Sequence, residues 1–312
     1  MRILVVGGFG YLGGRIALNL IEQGHQVILG TRRERKAPEW LPQAEVSHMV
    51  WSDEDILQGI CENVDVVIHS AGMNSKDCAS DAVAALEFNG VATTRLARAS
   101  KKAGVKLFIY ISTIHVYQYP FTGEITEDSC PKNRHPYATT HLAGENAVLC
   151  HNDREDNFKG VILRLSNAVG APTQKNVNCW MLVVNDICRQ VVTKRKIEML
   201  SHPLVVRDFI SIKSICNSIS SLIIKRGSID EDILHVVSSK TITLLELTNI
   251  VADRSKVVLG YKPSVIFKDS VPISKSNFKI SNLKLSQFID VSKMGLVDEI
   301  DDLLLKTASW FN

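Results

Sequence analysis

The residues that decide the fold are Met1-Arg-Ile-Leu-Val-Val-Gly-Gly-Phe-Gly-Tyr-Leu-Gly-Gly14. The apolar run 3–6 is long enough for one buried strand, and residues 15–23 have the pattern of an amphipathic helix that ends at Gly24. Between them lie three glycines at three-residue spacing, Gly7, Gly10 and Gly13. In a strand–turn–helix unit such glycines allow a tight turn, a close approach to a pyrophosphate and close helix packing. The stretch therefore predicts a dinucleotide site at a helix N-terminus. The alternative is an ordinary tight turn.

The composition is that of a globular protein. The chain has 312 residues, of which 45% are hydrophobic and 22% charged, and its net charge is +3. This charge is too small to favour nucleic acid or an anionic membrane as a partner. No apolar run approaches the roughly 18 residues that a membrane helix needs. Because Met1 leads directly into a predicted strand, we expect no signal peptide and a cytoplasmic location. Seven scattered cysteines without paired spacing predict free thiols and no metal site.

Strand and helix patterns alternate along the first 170 residues. Strands are predicted at 3–6, 26–29, 46–50, 65–69, 106–112 and 161–165, and helices at 15–23, 56–62, 82–103 and 136–150. This alternation predicts an α/β fold with a parallel sheet covered on both faces. Beyond residue 170 the pattern is less regular, with helices predicted at 178–192, 215–225, 243–252 and 296–311, a strand at 208–212 and a loop-rich segment at 268–285. We therefore predict a Rossmann-type doubly wound domain over 1–170. Residues 171–312 would be mainly a smaller α/β substrate lobe, with some segments returning to the sheet.

The glycine spacing and its filling residues resemble the extended short-chain dehydrogenase/reductase family, which includes sugar-nucleotide epimerases, dehydratases and ketoreductases. The resemblance spans nearly the whole chain. It implies that the cofactor is held by a set of residues from the glycine turn, the loop after the fourth strand, the long helix and the fifth strand: Gly7, Gly10, Tyr11, Leu12, Gly13, His69, Ser70, Ala71, Gly72, Asn89 and Ser112.

The loop after the second predicted strand favours NADP over NAD. NAD enzymes carry an acidic residue there for the ribose, but this chain has Arg32 and Arg33. Two guanidinium groups can pair with a 2′-phosphate. The alternative is a solvated basic loop. The family's adenine-binding aspartate is replaced by a segment containing Trp51.

The resemblance assigns the catalytic residues. Tyr137 and His141 lie four apart on one helix face, where the family has Tyr-x-x-x-Lys, and Thr113 falls where a Ser or Thr bonds the substrate oxygen. Tyr137 would carry the proton and His141 would hold the ribose; otherwise Tyr137 is an ordinary half-buried helix tyrosine. A neutral histidine contributes less than lysine to lowering a phenol pKa of about 10. This favours Tyr137 as an acid in reduction over Tyr137 as a base in epimerisation.

The resemblance also indicates substrate residues, each with an alternative. His115 either contacts the substrate or lies at the edge of the core. Sugar dehydratases that resemble this chain carry Asp-Glu at the positions of Ile114 and His115. Because Ile114 cannot ionise, this chain lacks their acid and base pair. Asn167 either binds substrate or caps a turn. Arg207 either binds a nucleotide diphosphate or makes an internal ion pair. Asn178 is a further candidate.

These observations predict an NAD(P)-dependent enzyme, most simply one that reduces a keto group on a nucleotide-activated sugar with NADP. The alternatives are a sugar-nucleotide epimerase that retains NAD and a non-catalytic NADP-binding regulator. The resemblance also implies a homodimer formed by helices 82–103 and 136–150.

Overall fold

A computed structural model describes residues 1–152, 157–268, 277–290 and 295–311. Within these residues the centre of the molecule is a seven-stranded parallel sheet with the strand order β11-β7-β5-β4-β1-β2-β3. Its strands are β1 (Arg2–Val6), β2 (Gln26–Thr31), β3 (Glu45–His48), β4 (Val66–His69), β5 (Leu107–Thr113), β7 (Lys159–Leu165) and β11 (Ile233–Val236). The chain order reverses between β1 and β4, so the carboxyl ends of these two strands flank a crevice in which such sheets bind ligands. The predicted α/β doubly wound fold is confirmed.

Helices cover both faces of this sheet. They are α1 (Tyr11–Glu22), α2 (Glu54–Cys61), α3 (Ser75–Ser80), α4 (Ala82–Leu86), α5 (Thr93–Lys102), α6 (Pro136–Leu149) and α8 (Ile212–Ile224). One apolar cluster packs on α1 and α8, and a second packs on α2, α5 and α6. The predicted single helix 82–103 is interrupted by a π-helical segment, Glu87–Ala92. Asn89 within it is fully buried, and such π segments are frequent at functional sites.

Smaller elements complete the second half of the chain. A sheet of order β12-β10-β8 contains β8 (Asn167–Val169), β10 (Val206–Ser211) and β12 (Thr241–Thr243). Two further pairs join β13 (Ser264–Phe267) to β9 (Lys196–Met199) and β14 (Phe278–Ile280) to β6 (Gly123–Ile125). The remaining helices are α7 (Val183–Lys194), α9 (Leu244–Leu259), α10 (Leu283–Ser286) and α11 (Val297–Phe311).

Several boundaries differ from the sequence predictions for local reasons. Helix α7 begins at Val183 rather than 178, because the preceding turn is fixed by the Trp180 indole N–H, which donates to the Lys175 carbonyl. Helix α9 continues to Gly260, whose left-handed conformation ends it. Of the loop-rich prediction 268–285, residues 269–276 lie outside the described residues. The rest forms β14 and α10.

Two further features of the described residues concern their helices and their cysteines. No helix among them is long and apolar enough to cross a membrane. The seven cysteines are free thiols, and five of them are buried.

Candidate active site

The glycine turn joins β1 to the N-terminus of α1 as a tight cradle. Gly7 has a φ of +84°, and a Cβ there would lie 2.8 Å from the Ala71 backbone nitrogen. A Cβ on Gly13 would collide with the Gly7 carbonyl oxygen. The cap residue Gly10 offers no side chain to the first turn of α1, which also contains no acidic residue. The free N–H groups at this end of α1 therefore face a space that suits a phosphate.

The segment after β4 forms the opposite wall of this cradle. The Ser70 hydroxyl donates to the Val6 carbonyl at 2.8 Å, which fixes the loop of Ala71 and Gly72 against the glycine turn. His69 has a different environment. Its side chain is buried, its Nε2 lies 3.0 Å from the Thr93 hydroxyl, and burial lowers its pKa to about 3. The His69 imidazole is therefore part of the core.

Two other predicted cofactor residues have side chains that bond within the protein. The Tyr11 hydroxyl donates to the Gly170 carbonyl at 2.9 Å, which ties α1 to the second half of the chain. Asn89 accepts from the Met73 backbone N–H at 3.0 Å and donates to the Thr140 hydroxyl at 3.0 Å. Asn89 thereby joins the loop after β4 to α6.

The basic loop after β2 is exposed. Arg32 and Arg33 follow the strand, and no hydrogen bond or ion pair of either side chain is seen within the described ranges. The sequence prediction missed Arg35, whose guanidinium lies 4.5 Å from the centroid of the Phe9 ring in the glycine turn. This cation–π contact places a third arginine over the cradle. The sequence shows that residues 32–36 are all charged, but it does not show the contact of Arg35 with Phe9.

The predicted catalytic residues meet where β5 ends and α6 begins. Pro136 is the first helical residue, and the His135 ring accepts a hydrogen bond from the Tyr137 backbone N–H at 3.1 Å. Burial raises the pKa of the Tyr137 phenol to about 12, although a side-chain hydrogen bond with Thr113 opposes this. Burial lowers the pKa of His141 to about 4. At neutral pH the site therefore contains a protonated phenol beside an uncharged imidazole.

His141 is placed toward the cradle as well as toward Tyr137. It is 6% exposed, its Nδ1 has no hydrogen-bond partner in the part of the chain that the structure describes, and a Cβ on Gly72 would lie 3.3 Å from its Cε1. An unpaired, buried ring nitrogen costs free energy unless a ligand or water satisfies it. This is consistent with a hydroxyl of a bound ribose as its partner.

His115 lies on the far side of Tyr137. It follows Thr113 in the 3₁₀ turn Ile114–Val116, stacks on Phe121 with ring centroids 5.9 Å apart, and lies 6.5 Å from the Tyr137 ring. Its pKa is lowered to about 4, mainly by burial and further by the nearby Arg207. Arg207, on β10, has a buried Nε that finds no hydrogen-bond partner among the described residues. The structure thus brings His115, Arg207 and Tyr137 to one region.

Asn167 and Asn178 differ from this group. The Asn167 amide donates to the backbone carbonyl of Asp208 on the neighbouring strand β10 at 2.8 Å, so this side chain links β8 to β10. Asn178 is exposed in the turn before α7. Neither side chain is shown in contact with Tyr137.

The sequence prediction missed a buried ionic group behind the site. Ser112 was expected to contact the cofactor, but its hydroxyl donates to the Glu145 carboxylate at 2.5 Å. Glu145 also forms an ion pair with Arg164 on β7. The available signal was the spacing of Tyr137, His141 and Glu145, which places all three on one face of α6.

The chain matches a known protein family over most of its length. Residues 3–233 match the profile of the NAD dependent epimerase/dehydratase family. A UDP-glucose 4-epimerase of Dictyostelium discoideum is 31% identical over 183 residues, which cover 54% of this chain and 53% of that protein. The chain thus matches about half the length of such curated relatives.

Two solved structures show the same fold over their full length. The UDP-glucose 4-epimerase of Thermotoga maritima, solved with UDP-glucose, has a TM-score of 0.82 and 19% identity, and the match covers 100% of both chains. MoeE5 in complex with UDP-glucose and NAD has a TM-score of 0.78 and 20% identity, again over 100% of both chains.

Proposed function

The chain belongs to the NAD dependent epimerase/dehydratase family, and we propose that it is an NAD(P)-dependent enzyme that reduces a keto group on a nucleotide-activated sugar. The observation that carries this proposal is the pair Tyr137 and His141. Because the pKa of Tyr137 is about 12 and that of His141 about 4, the phenol keeps its proton and the imidazole is neutral. Reduction requires a protonated acid at this position, whereas oxidation of a sugar hydroxyl requires a base.

The residues present fit a dinucleotide. The cradle of Gly7, Gly10 and Gly13 leaves backbone space that a Cβ would fill, and the N-terminus of α1 would take the pyrophosphate. Arg32 and Arg33 would take a 2′-phosphate, which favours NADP, and His141 would bond the nicotinamide ribose. When bound, the reduced cofactor supplies a hydride.

The chain's own residues would then handle the substrate oxygen. Thr113 would donate a hydrogen bond to the keto oxygen, and Tyr137 would transfer its phenolic proton as the alcohol forms. Arg207 would use its unpaired Nε and planar guanidinium on the diphosphate of the sugar nucleotide. His115, between Phe121 and Tyr137, would contact the sugar.

A second candidate is epimerisation with retained NAD. The Dictyostelium relative and the Thermotoga structure are UDP-glucose 4-epimerases, and MoeE5 was solved with UDP-glucose and NAD.

A third candidate is a non-catalytic NADP-binding regulator. Arg207, whose charge reaches His115 and whose Nε has no partner within the described residues, argues against it, because a cofactor sensor needs no diphosphate clamp.

One experiment separates the three functions. The purified protein is denatured and its small molecules are identified by mass; it is then incubated with NADPH and a nucleoside diphosphate 4-keto-6-deoxyhexose. Oxidation of NADPH with formation of the alcohol supports reduction. Co-purified NAD together with interconversion of UDP-glucose and UDP-galactose overturns it in favour of the epimerase. NADP binding without turnover of any sugar nucleotide favours the regulator.

Location and assembly are further proposals. We propose a cytoplasmic location, since free thiols are typical of reducing compartments. We also propose a homodimer that uses the apolar face of α4 and the π segment after it.

A further inference from the structure

The face of α6 that carries Tyr137 and His141 continues to a fully buried carboxylate. Glu145 is 1% exposed, lies two helical turns beyond Tyr137 and points to the same side of the helix. Burial of a carboxylate is unfavourable unless its oxygens are paired and hydrogen-bonded. Its partners therefore determine where this part of α6 can lie.

The Glu145 carboxylate accepts hydrogen bonds from two neighbouring strands of the sheet. Oε1 accepts from Arg164 Nε at 3.0 Å and from the Ser112 hydroxyl at 2.5 Å, and Oε2 accepts from an Arg164 Nη at 2.6 Å. Ser112 belongs to β5 and directly precedes Thr113, whereas Arg164 belongs to β7. A forked guanidinium–carboxylate pair has a fixed planar geometry, so it sets both distance and angle between α6 and the sheet.

The far side of Arg164 is fixed in turn. Its Nη1 donates to the Tyr117 hydroxyl at 2.6 Å, and that hydroxyl lies 2.7 Å from His235 Nε2 on β11. His235 Nδ1 lies 2.9 Å from the Ser281 carbonyl, which can only accept. In the neutral ring Nδ1 therefore carries the hydrogen and Nε2 accepts from Tyr117. The Tyr117 hydroxyl also donates to the Thr126 backbone carbonyl at 3.0 Å, so its single hydrogen is shared between Thr126 and His235, and Tyr117 links Arg164 to both segments.

We propose that Glu145 and Arg164 are positioning residues, which through Ser112 fix α6 on β5 and so hold the Tyr137 phenol against Thr113. The inference rests on the proposed function, since it assigns Tyr137 and Thr113 to the substrate oxygen. Glu145 and Arg164 do not touch the substrate. They act on the rate because a small displacement of a catalytic group lowers it strongly.

The test replaces both charges together by apolar residues of similar size, Glu145→Leu with Arg164→Met. Removal of one partner alone would leave a buried unpaired charge, whereas replacement of both preserves folding in other proteins. The matched control is Arg254→Met with Asp301→Leu, which removes a bidentate pair between α9 and α11 that does not contact α6. Three quantities are measured: the unfolding midpoint, hydrogen exchange of amides 137–149, and kcat and KM for NADPH and keto sugar.

We expect the double variant to keep its unfolding midpoint and both KM values, while exchange of the α6 amides rises and kcat falls by about 10- to 100-fold. The control pair should change none of these except the midpoint. Ser112→Ala should lower kcat in the same direction, and Ser112→Thr, which retains the hydroxyl, should restore it. The two serine variants decide the matter if the double variant does not fold.

Three results would overturn the inference: unchanged kcat in the folded double variant, unchanged exchange of α6, or a kcat loss that only follows the unfolded fraction. If the wild-type protein turns over no keto sugar, the proposed reduction fails. The exchange measurement still decides whether this group fixes α6.

Discussion

The ring of His141 lies 4.4 Å from the ring of Tyr137, one helical turn further along α6. A histidine at this distance is close enough to influence the phenol by its charge, but burial keeps it neutral. Burial therefore raises the pKa of Tyr137, and a hydrogen bond with Thr113 lowers it. No cation is among the causes of the shift. In the proposed reaction, this relationship leaves Tyr137 as a proton donor at neutral pH.

Tyr137→Phe should lower the reduction rate by about 100-fold or more, because the proton donor is removed and its ring is kept. Steady-state NADPH oxidation measures the effect, and a fluorescence titration should show unchanged NADPH affinity. Tyr119→Phe is the control, since Tyr119 is 54% exposed and flanks Phe121. If Tyr137→Phe keeps most of the rate, His115 becomes the candidate donor.

His141→Lys should introduce a cation beside the phenol and lower the Tyr137 pKa from about 12. The reduction rate should then decline at lower pH than in the wild type, and oxidation of the alcohol should become faster at neutral pH. The measurement is the pH dependence of kcat in both directions. His141→Gln, which adds no charge, should leave the alkaline limb in place. Identical profiles for the lysine and glutamine variants would contradict the argument.

Replacement of Arg32 and Arg33 together by alanine should abolish a preference for NADP over NAD of at least about tenfold, or about 1.4 kcal/mol. The two dissociation constants are measured by titration for wild type and variant. Arg134→Ala, an exposed arginine on another loop, should preserve the preference. Equal affinities in the wild type would show that Arg32 and Arg33 are only a solvated loop.

Stability should fall steeply in mild acid because burial lowers the pKa of four histidines. The pKa is lowered to about 3 for His69 and to about 4 for His115, His141 and His235, against about 6.5 in the unfolded chain. The unfolded state therefore binds more protons between these values. The stability is fully present above about pH 6.5 and is lost as the pH falls towards 4, by up to about 1.4 kcal/mol per pH unit for each histidine.

Urea unfolding at a series of pH values from 7.5 to about 5 measures this loss. His235→Gln should reduce the slope by up to one proton. A free energy of unfolding that stays constant across this range would contradict the neutral state of the four rings.

A dimer through α4 and the π segment should be broken by Val83→Glu with Leu86→Glu. Val83 is 71% exposed and Leu86 49%, whereas Leu96 and Ala99 further along are buried in the core. Light scattering at micromolar concentration should report a dimer for the wild type and a monomer for the variant. Leu245→Glu, at a position 41% exposed on α9, is the control. A monomeric wild type would remove the proposal.

The local patterns of the sequence were sufficient to predict the first half of the fold. Each βα unit contains its own strand, turn and helix signals, so Ile3–Val6 with its glycines, or Pro136 at the start of α6, indicates a structure without distant contacts. The second half was less predictable, because short strands such as β8 and β12 are formed by partners far along the chain. The return of β11 to the sheet edge beside β7 likewise depends on a partner about seventy residues away.

By itself, the sequence determined the doubly wound fold, the cradle of glycines and the presence of a tyrosine and a histidine on one helix face. Only the tertiary structure decided their protonation, because the pKa values of Tyr137 and His141 depend on burial by segments remote in sequence. It also showed the Ser112 hydroxyl bonded to Glu145 and the Arg35 guanidinium over the Phe9 ring. Hydrogen bonds and desolvation depend on three-dimensional neighbours, which residue spacing along one strand or helix does not specify.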